Sequence, residues 1–240
     1  MKVAICDDNK SALDFIYTTV SKEFCHYGIH SQIVAYSDSR VLLDVQKKDP
    51  YDVLFLDISM PDIDGFQIAE EIRKTSKNAI IIFITSKDEL VYDSFDYQPF
   101  FFIRKNDSDN IARNISRAVE MLTHYIKQNK SIVLDVDGVK MPVMFTDIMY
   151  IKSDRHYLQY HMADGDVFKV RGVMKDKDRE FCQYDFIKIH QRYIVNLKYV
   201  KFVDKRREIL ILKNGERLEI SRNHKNSADE QFTRYLRETL

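Results

Sequence analysis

Four short apolar runs, each followed by a polar residue, constrain the fold of this chain more than any other feature. The runs occupy residues 3–6, 53–56, 79–84 and 100–103. Apolar residues that follow one another without alternation are typical of strands buried on both faces, and therefore of a parallel sheet. The polar residues that follow the runs are Asp7 and Asp8, Asp57, Thr85 and, after Arg104, Lys105. Because ligands of open α/β sheets bind outside the carboxyl ends of the strands, we expect these side chains to converge.

Helical patterns lie between the apolar runs of the first half. They are predicted near residues 9–27, 39–49, 64–76, 88–96 and 107–128. Strands that alternate with helices indicate a parallel sheet covered by helices on both faces. The last helix carries an apolar stripe at helical spacing and runs into a polar segment, residues 127–130, which we interpret as a short linker. We therefore predict a first domain over residues 1–126 and a second over residues 131–240.

Three carboxylates, one hydroxyl and one ammonium at one edge of a sheet suit phosphoryl transfer. Carboxylates held close together repel one another and favour a hard divalent cation such as Mg²⁺, which takes oxygen ligands. Asp57 can itself act as the nucleophile and form an aspartyl-phosphate, while Lys105 pairs with it and Thr85 donates a hydrogen bond to a phosphate oxygen. Each residue alone is more typical of a cap, a turn or a solvated surface, so the prediction depends on their combination.

Residues 1 to about 125 resemble the receiver domain of two-component response regulators. The residues that carry the resemblance are Asp7-Asp8, Asp57 with Met60-Pro61 and Asp64-Gly65, Thr85 and Lys105. The resemblance implies a five-stranded parallel, doubly wound sheet with Asp57 as the phosphoacceptor. The implied Mg²⁺ ligands are Asp7, Asp8, Asp57 and the backbone carbonyl of Ser59. Thr85 and Phe102 match the switch pair that reorients on phosphorylation.

Two positions bear on how this chain differs from other receivers. The family's lysine is usually followed by proline, often in a cis peptide, whereas Asn106 follows Lys105 here. Ser59 and Lys87 stand two residues beyond Asp57 and Thr85, at positions that tune dephosphorylation in receivers.

The composition bounds the class of protein and its environment. With 240 residues, 45% apolar and 31% charged, the chain suits two ordinary domains with real cores. No apolar stretch is long enough to span a bilayer, and the N-terminal segment is typical of a strand and not of a signal peptide, so we expect no membrane association. Three widely separated cysteines, Cys6, Cys25 and Cys182, lack metal-ligand spacing and indicate a reducing cytoplasm, so we expect a cytoplasmic protein.

The second half differs from the first in charge and in pattern. Residues 1–125 carry 14 basic and 20 acidic side chains, whereas residues 126–240 carry 23 and 17, so a net charge of −6 is followed by one of +6. Short β-rich runs follow one another, with helices predicted only near residues 172–181 and 224–238. The turn signals between the runs are Asp137-Gly138, Asp164-Gly165 and Asn214-Gly215, the last two typical of hairpins. This pattern indicates a mainly antiparallel β domain, and its charge favours a polyanionic partner.

Residues from about 130 to 238 resemble the LytTR DNA-binding domain. The matching segments are residues 147–151, 186–196, 214–216 and 220–222, of which 186–196 is the most specific. The family presents loops from a small β-sheet arrangement to successive major grooves of DNA. The resemblance implies base-contacting loops at His156, Gln191 and Arg222, with Arg155, Arg192, Asn223 and Lys225 nearby.

Side-chain chemistry agrees with these positions. Arg222 can form two hydrogen bonds to guanine O6 and N7, and Gln191 can do the same to adenine N6 and N7. Arg192 and Lys225 suit phosphates, which position a protein on DNA without specifying a sequence. His190, in an apolar stretch, and Asn196, at a turn, are expected to be structural.

We interpret the chain as a phosphorylation-dependent transcriptional regulator and not as an enzyme. A sensor histidine kinase is expected to phosphorylate Asp57, after which two chains form a homodimer through the face that contains Phe102 and its neighbouring helices. The paired β domains then gain avidity for a two-part site on double-stranded DNA. One alternative is that the β domain binds a protein partner instead of DNA. Another, a phosphatase or phosphotransferase, would need a substrate-cap insertion and an acid where Ser59 stands.

Overall fold

The computed structural model describes residues 1–87, 89–106 and 108–239. The chain divides into two compact units, Met1–Thr123 and His124–Leu240, which we call unit 1 and unit 2. Among the described residues, no helix combines the length and the apolar character that a bilayer crossing requires.

Unit 1 contains a five-stranded sheet in which every strand pair is parallel. Its strands are β1 (Lys2–Cys6), β2 (Gln32–Tyr36), β3 (Val53–Asp57), β4 (Ile80–Thr85) and β5 (Phe101–Arg104). Its helices are α1 (Lys10–His26), α2 (Ser39–Lys48), α3 (Gly65–Thr75), α4 (Leu90–Ser94) and α5 (Ser108–Asn129), and a 3-10 helix, Phe95–Tyr97, follows α4. The strand order β2-β1-β3-β4-β5 is that of a doubly wound sheet, so the predicted fold is confirmed.

Burial explains which strands were easy to predict. Every residue of β3 is buried, and β4 is buried except at its first residue, so both strands are continuous apolar runs. By contrast β2, whose residues 33–36 are also apolar, lies at the sheet edge and has no fully buried residue.

The start of α3 is packed against the end of β3. Asp64 caps the helix by accepting a hydrogen bond from the Gln67 N–H, and the Gln67 side chain accepts one from the Asp64 N–H. The Gly65 N–H donates to the Ile58 carbonyl oxygen over 3.1 Å. A Cβ atom at Gly65 would lie 2.3 Å from the Asp57 carbonyl oxygen, so only glycine allows this approach. The contact fixes the loop that follows Asp57.

Unit 2 is mainly antiparallel β structure, as predicted. Its strands are β6 (Ser131–Val136), β7 (Val139–Met144), β8 (Ile148–Asp154), β9 (Tyr157–Met162), β10 (Val167–Arg171), β11 (Phe186–His190), β12 (Tyr193–Asn196), β13 (Val200–Asp204), β14 (Ile209–Leu212) and β15 (Arg217–Glu219). They form sheets of order β10-β9-β8-β12-β11, β13-β14-β15 and β6-β7. The two helices that begin in this unit are α6 (Met174–Phe181) and α7 (Lys225–Thr239). Gly165 and Gly215 have φ of +98° and +91° at the predicted hairpin turns, and Gly138 turns a third hairpin between β6 and β7.

The five-stranded sheet of unit 2 takes part in two separate cores. One core contains Phe145, Phe181 and Phe186, with the first two rings stacked at a centroid distance of 4.3 Å. The other joins the sheet to β13–β15 and α7 and includes Leu210 and Phe232. Because both cores draw on β8 and β12, the central strands are held in place from two directions.

The predicted linker coincides with the end of a helix. Helix α5 continues to Asn129, so residues 127–129 form its last turn, and the two units meet in sequence between Thr123 and His124. The apolar stripe that predicts a helix near residues 107–128 continues to Ile126, whereas the polarity of residues 127–130 indicates a short linker. The exact domain boundaries stay a prediction.

Candidate functional site

Three aspartates lie together at the carboxyl edge of the sheet in unit 1. Asp7 and Asp8 follow β1, and Asp57 is the last residue of β3. Each offers a carboxylate oxygen within 4.8 Å of the other two. Asp7 is 1% exposed and Asp57 is 7% exposed, whereas Asp8 is exposed to solvent. The parallel strands thus bring together carboxylates that are fifty residues apart in sequence.

Lys105 supplies the positive charge in this cluster. Its N–H donates to the Thr85 carbonyl oxygen over 2.8 Å, which extends the pairing of β5 with β4 by one residue. Its Nζ lies 2.7 Å from Asp7 Oδ2 and 2.8 Å from Asp57 Oδ2. One ammonium among three carboxylates leaves the cluster with excess negative charge.

The electrostatics of the cluster fit a hard divalent cation. Burial raises the pKa of the Asp7 carboxyl above its ordinary value, the ion pair with Lys105 opposes that shift, and the neighbouring charge of Asp57 adds to it. The donor atoms are carboxylate oxygens, which Mg²⁺ prefers, and Asp8 opens the cluster to solvent. Burial raises the pKa of the adjacent Cys6 thiol to about 12, so Cys6 stays protonated and is no ligand at neutral pH.

The remaining predicted residues of unit 1 surround this cluster. The Ser59 N–H donates to Asp57 Oδ1 over 3.3 Å, and Ser59 Oγ is buried with no hydrogen-bond partner among the described residues. Thr85 is fully buried, and its Oγ1 accepts a hydrogen bond from the Lys87 N–H. Phe102 is half-buried opposite Phe83 in the β4–β5 pair. The peptide bond after Lys105 is trans.

Three loops of unit 2 meet at one end of its five-stranded sheet. The turn of the β8–β9 hairpin contains Arg155 and His156, and the turn of the β11–β12 hairpin contains Gln191 and Arg192. Arg222 belongs to the segment that follows β15. The Ser153 N–H donates to the Arg192 carbonyl oxygen, and the Ser221 N–H donates to the Ile189 carbonyl oxygen, each over 2.9 Å. These backbone bonds link the three predicted contact loops.

The predicted contact side chains at this end of the sheet differ in their exposure to solvent. Six of the seven predicted contacts are exposed, and these are Arg155, His156, Gln191, Arg192, Arg222 and Asn223. Lys225 is half-buried at the start of α7, and its Nζ lies 3.6 Å from Glu208 Oε1. Ser221 Oγ and His224 Nδ1 lie 2.7 Å apart and fix the backbone on either side of Arg222.

Two conspicuous polar residues are structural. His190 Nδ1 accepts a hydrogen bond from the Arg192 N–H, which shapes the β11–β12 turn. Asn196 is buried, donates to the carbonyl oxygens of Phe145 and Ile148, and caps the 3-10 helix Leu197–Tyr199. Both residues therefore have the structural roles that the sequence predicts.

One cationic residue at this end was missed. Arg171, the last residue of β10, lies next to the β8–β9 turn, since the adjacent Gly172 N–H donates to the His156 carbonyl oxygen. An arginine at a strand end has no sequence signal that distinguishes it from other surface arginines.

The family of the chain follows from two matches. Residues 3–116 match the model of the response regulator receiver domain, and residues 138–233 match that of the LytTr DNA-binding domain. The matches follow the order of the two units and together cover most of the chain. The chain therefore belongs to the response regulators that join a receiver domain to a LytTR DNA-binding domain.

Among its relatives are the accessory gene regulator proteins A of staphylococci. The protein from Staphylococcus aureus (strain N315) is 29% identical over 231 residues, and that from Staphylococcus epidermidis (strain ATCC 12228) is 26% identical over 242 residues. Each match covers 90% of this chain and 95% of the relative. A solved structure, the response regulatory domain of protein mrkE from Klebsiella pneumoniae, is 24% identical and covers 52% of this chain and 99% of that one, with a TM-score of 0.44. The match of residues 138–233 to the LytTr DNA-binding domain favours the DNA-binding interpretation of unit 2 over a protein-binding one.

Proposed function

We propose that Asp57 accepts a phosphoryl group from a sensor histidine kinase. The observation that carries this proposal is the position of Lys105 Nζ, within 2.8 Å of carboxylate oxygens of both Asp7 and Asp57. A lysine shared by two buried carboxylates is placed to pair with an oxygen of a phosphoryl group once that group is bound to Asp57. The receiver match over residues 3–116 supports the same role.

In the transfer, a carboxylate oxygen of Asp57 forms a bond to phosphorus as the phosphorus–nitrogen bond of the donor phosphohistidine breaks. The donor imidazole leaves and takes up a proton, and Asp57 becomes an acyl phosphate. We propose Mg²⁺ as the cation, held by the carboxylates of Asp7, Asp8 and Asp57 and by the Ser59 carbonyl. When bound, Mg²⁺ neutralises charge on the transferring phosphoryl oxygens. Lys105 pairs with one of these oxygens.

The phosphoryl group changes the surroundings of Thr85. Its charge of about −1.5 to −2 and its acceptor oxygens attract the Thr85 hydroxyl, whose oxygen accepts a hydrogen bond from the Lys87 N–H in the present structure. Movement of Thr85 leaves room into which half-buried Phe102 turns, and we propose that the altered face then pairs with a second copy of the chain. The chain acts in this way as a regulator and not as an enzyme with turnover. A cytoplasmic location is supported by its three free cysteines.

We propose that the phosphorylated dimer binds double-stranded DNA through the linked loops of unit 2. Arg222 and Gln191 contact base edges, and His156 lies beside them. The DNA backbone is contacted by Arg155, Arg192, Asn223 and Lys225. The support is the LytTr match, the exposure of six of these side chains and the backbone bonds that join their loops.

The test of the phosphoacceptor is intact-mass measurement after treatment with acetyl phosphate and Mg²⁺. The wild-type chain should gain one phosphoryl group, Asp57→Ala should gain none, and chelation of the metal should abolish the gain. Asp44→Ala, at an exposed position of α2, is the matched control and should be labelled like wild type. Labelling that persists in Asp57→Ala would refute the assignment.

The test of base reading compares Arg222→Ala with Lys225→Ala on a selected site and a scrambled one. Arg222→Ala should cost about 1–3 kcal/mol on the selected site and relax the preference at one base pair. Lys225→Ala should weaken both DNAs alike and reduce the salt slope by roughly one unit. Lys140→Ala, exposed on β7, is the control. If Arg222→Ala weakens both DNAs equally, Arg222 holds phosphate and reads no base.

A further inference from the structure

An open cavity of about 510 Å³ lies beside the β8–β9 turn of unit 2. Its polar lining consists of Ser153, Arg155, His156 and Arg171, and its apolar lining includes Val173 and Met174. None of the described lining residues is acidic. The cavity is therefore basic as well as concave, unlike a solvated run of surface lysines.

The backbone brings the two arginines to the same cavity. Arg155 turns the hairpin with φ of +57°, which a non-glycine residue adopts mainly in tight turns. Arg171 pairs with Tyr157 at the end of edge strand β10, and the next residue, Gly172, donates its N–H to the His156 carbonyl oxygen over 3.2 Å. A Cβ atom at Gly172 would lie 3.0 Å from Leu158 Cδ1, so a residue other than glycine would require the Leu158 side chain to shift.

The cationic side chains of the cavity are uncompensated. Within the described ranges, no hydrogen bond or ion pair involves the side chain of Arg155, His156 or Arg171. By contrast Lys169, two residues before Arg171 on the same face of β10, lies 3.9 Å from Asp154 and packs over the Tyr157 ring. The Asp154 carboxylate is thus shared by Lys169 and Gln159. Two free guanidinium groups that converge on one cavity favour an anion with several oxygens.

We propose that this cavity binds a phosphate of the DNA backbone and that Arg171 is a phosphate contact of the chain. The inference rests on the proposed DNA-binding function and extends it to a residue outside the three predicted loops. Guanidinium groups suit phosphate because two N–H donors can bond two of its oxygens at once. His156 lines the same cavity, so a phosphate bound here also positions His156 next to the neighbouring bases.

The experiment measures DNA affinity of the full chain from 50 to 200 mM salt for wild type, Arg171→Ala, Arg171→Lys and the control Lys140→Ala. Removal of one phosphate contact makes the negative slope of log K against log [salt] shallower by about 0.9. Wild type should therefore lose about 3.5-fold more affinity than Arg171→Ala over this range, and equally on selected and scrambled DNA. Arg171→Lys keeps the charge and should keep the slope. Lys140→Ala should match wild type.

The outcomes separate this inference from the function on which it rests. If wild type binds DNA and Arg222→Ala relaxes its preference, but Arg171→Ala keeps the wild-type slope, the cavity does not hold backbone phosphate and the proposed function stands. If wild type shows no salt-dependent DNA binding, the proposed function fails and this inference fails with it. A parallel titration with inorganic phosphate tests a free anion as the ligand. Saturable phosphate binding that Arg171→Ala removes, together with an unchanged DNA slope, would overturn the DNA assignment.

Discussion

Asp7 is the most deeply buried of the three aspartates at the carboxyl edge of the sheet in unit 1. It is 1% exposed, it faces Asp57 across a shared lysine, and its pKa is raised mainly because burial disfavours the ionised form. Its carboxylate therefore opposes folding, and the proposed Mg²⁺ would reverse that effect. The proposed cation site thus costs stability until the cation binds.

The prediction at this scale concerns Asp7→Asn. Without metal, the variant should unfold at a higher temperature than wild type, since the amide removes a buried charge while Lys105 keeps its pair with Asp57. Wild type should gain about 2.7 kcal/mol at Mg²⁺ concentrations near 100 times Kd, and the variant should lose most of that gain. Thermal unfolding with and without Mg²⁺ measures both effects, with Asp44→Asn as the control. A variant that Mg²⁺ stabilises as much as wild type would remove Asp7 from the ligand set.

At the scale of elements, His161 on β9 links its strand to the β14–β15 hairpin. Its ring stacks on Tyr150 of β8 at 4.1 Å, and the Tyr150 hydroxyl donates to Glu216 Oε1 over 2.6 Å. His161 Nε2 is buried without a hydrogen-bond partner among the described residues. Burial lowers the pKa of His161; the charge of Glu216 opposes this shift and that of Lys152 adds to it. The stack is thus built for a neutral imidazole.

Because the folded pKa lies below the unfolded value of about 6.5, this stability is present above pH 6.5 and is lost as pH falls through the folded pKa. We expect wild type to lose more stability between pH 7.5 and 5.5 than His161→Gln does. Urea unfolding of the full chain, followed by a signal from unit 2, measures the difference. The exposed His156→Gln is the histidine control and should behave as wild type. Equal losses in wild type and His161→Gln would mean that protonation of His161 does not lower the free energy of unfolding.

The elements also show what the sequence could and could not reveal. Continuous apolar runs located β1, β3, β4 and β5 because buried parallel strands leave no room for polar residues, and their ends located the carboxylates and Lys105. Strand β2 was missed although residues 33–36 are apolar, because the run is short and no predicted site residue follows it. The position of Arg171 beside Arg155 and His156 was not predicted, because strand pairing brings these residues to one cavity. Pairing between distant segments leaves no local sequence pattern.

At the scale of the whole molecule, we propose that dimerisation couples the separate tasks of the acidic half and the basic half. One chain alone offers DNA a single set of contact loops. Two chains joined as a dimer engage a two-part site, with an effective concentration set by their linkage. Unit 1 offers an apolar surface for this joining, since Tyr92 is 81% exposed and Phe95 is 64% exposed, three residues apart on α4 and the 3-10 helix that follows. These rings lie on the helical segment predicted to flank Phe102 in the dimer face.

We therefore expect beryllofluoride, which stands in for the phosphoryl group on Asp57, to shift the chain from monomer toward dimer. Sedimentation analysis at micromolar concentrations measures the shift, and titration with DNA carrying one or two half-sites measures its consequence. The double variant Tyr92→Ser/Phe95→Ser should dimerise less and lose affinity for the two-part site while it binds one half-site like wild type. Val133→Ser, which removes a 62% exposed apolar side chain from β6, should change neither property. If the mass of wild type stays monomeric with the mimic bound while its DNA affinity still rises, phosphorylation acts within one chain, and the surface around Tyr92 and Phe95 has another use.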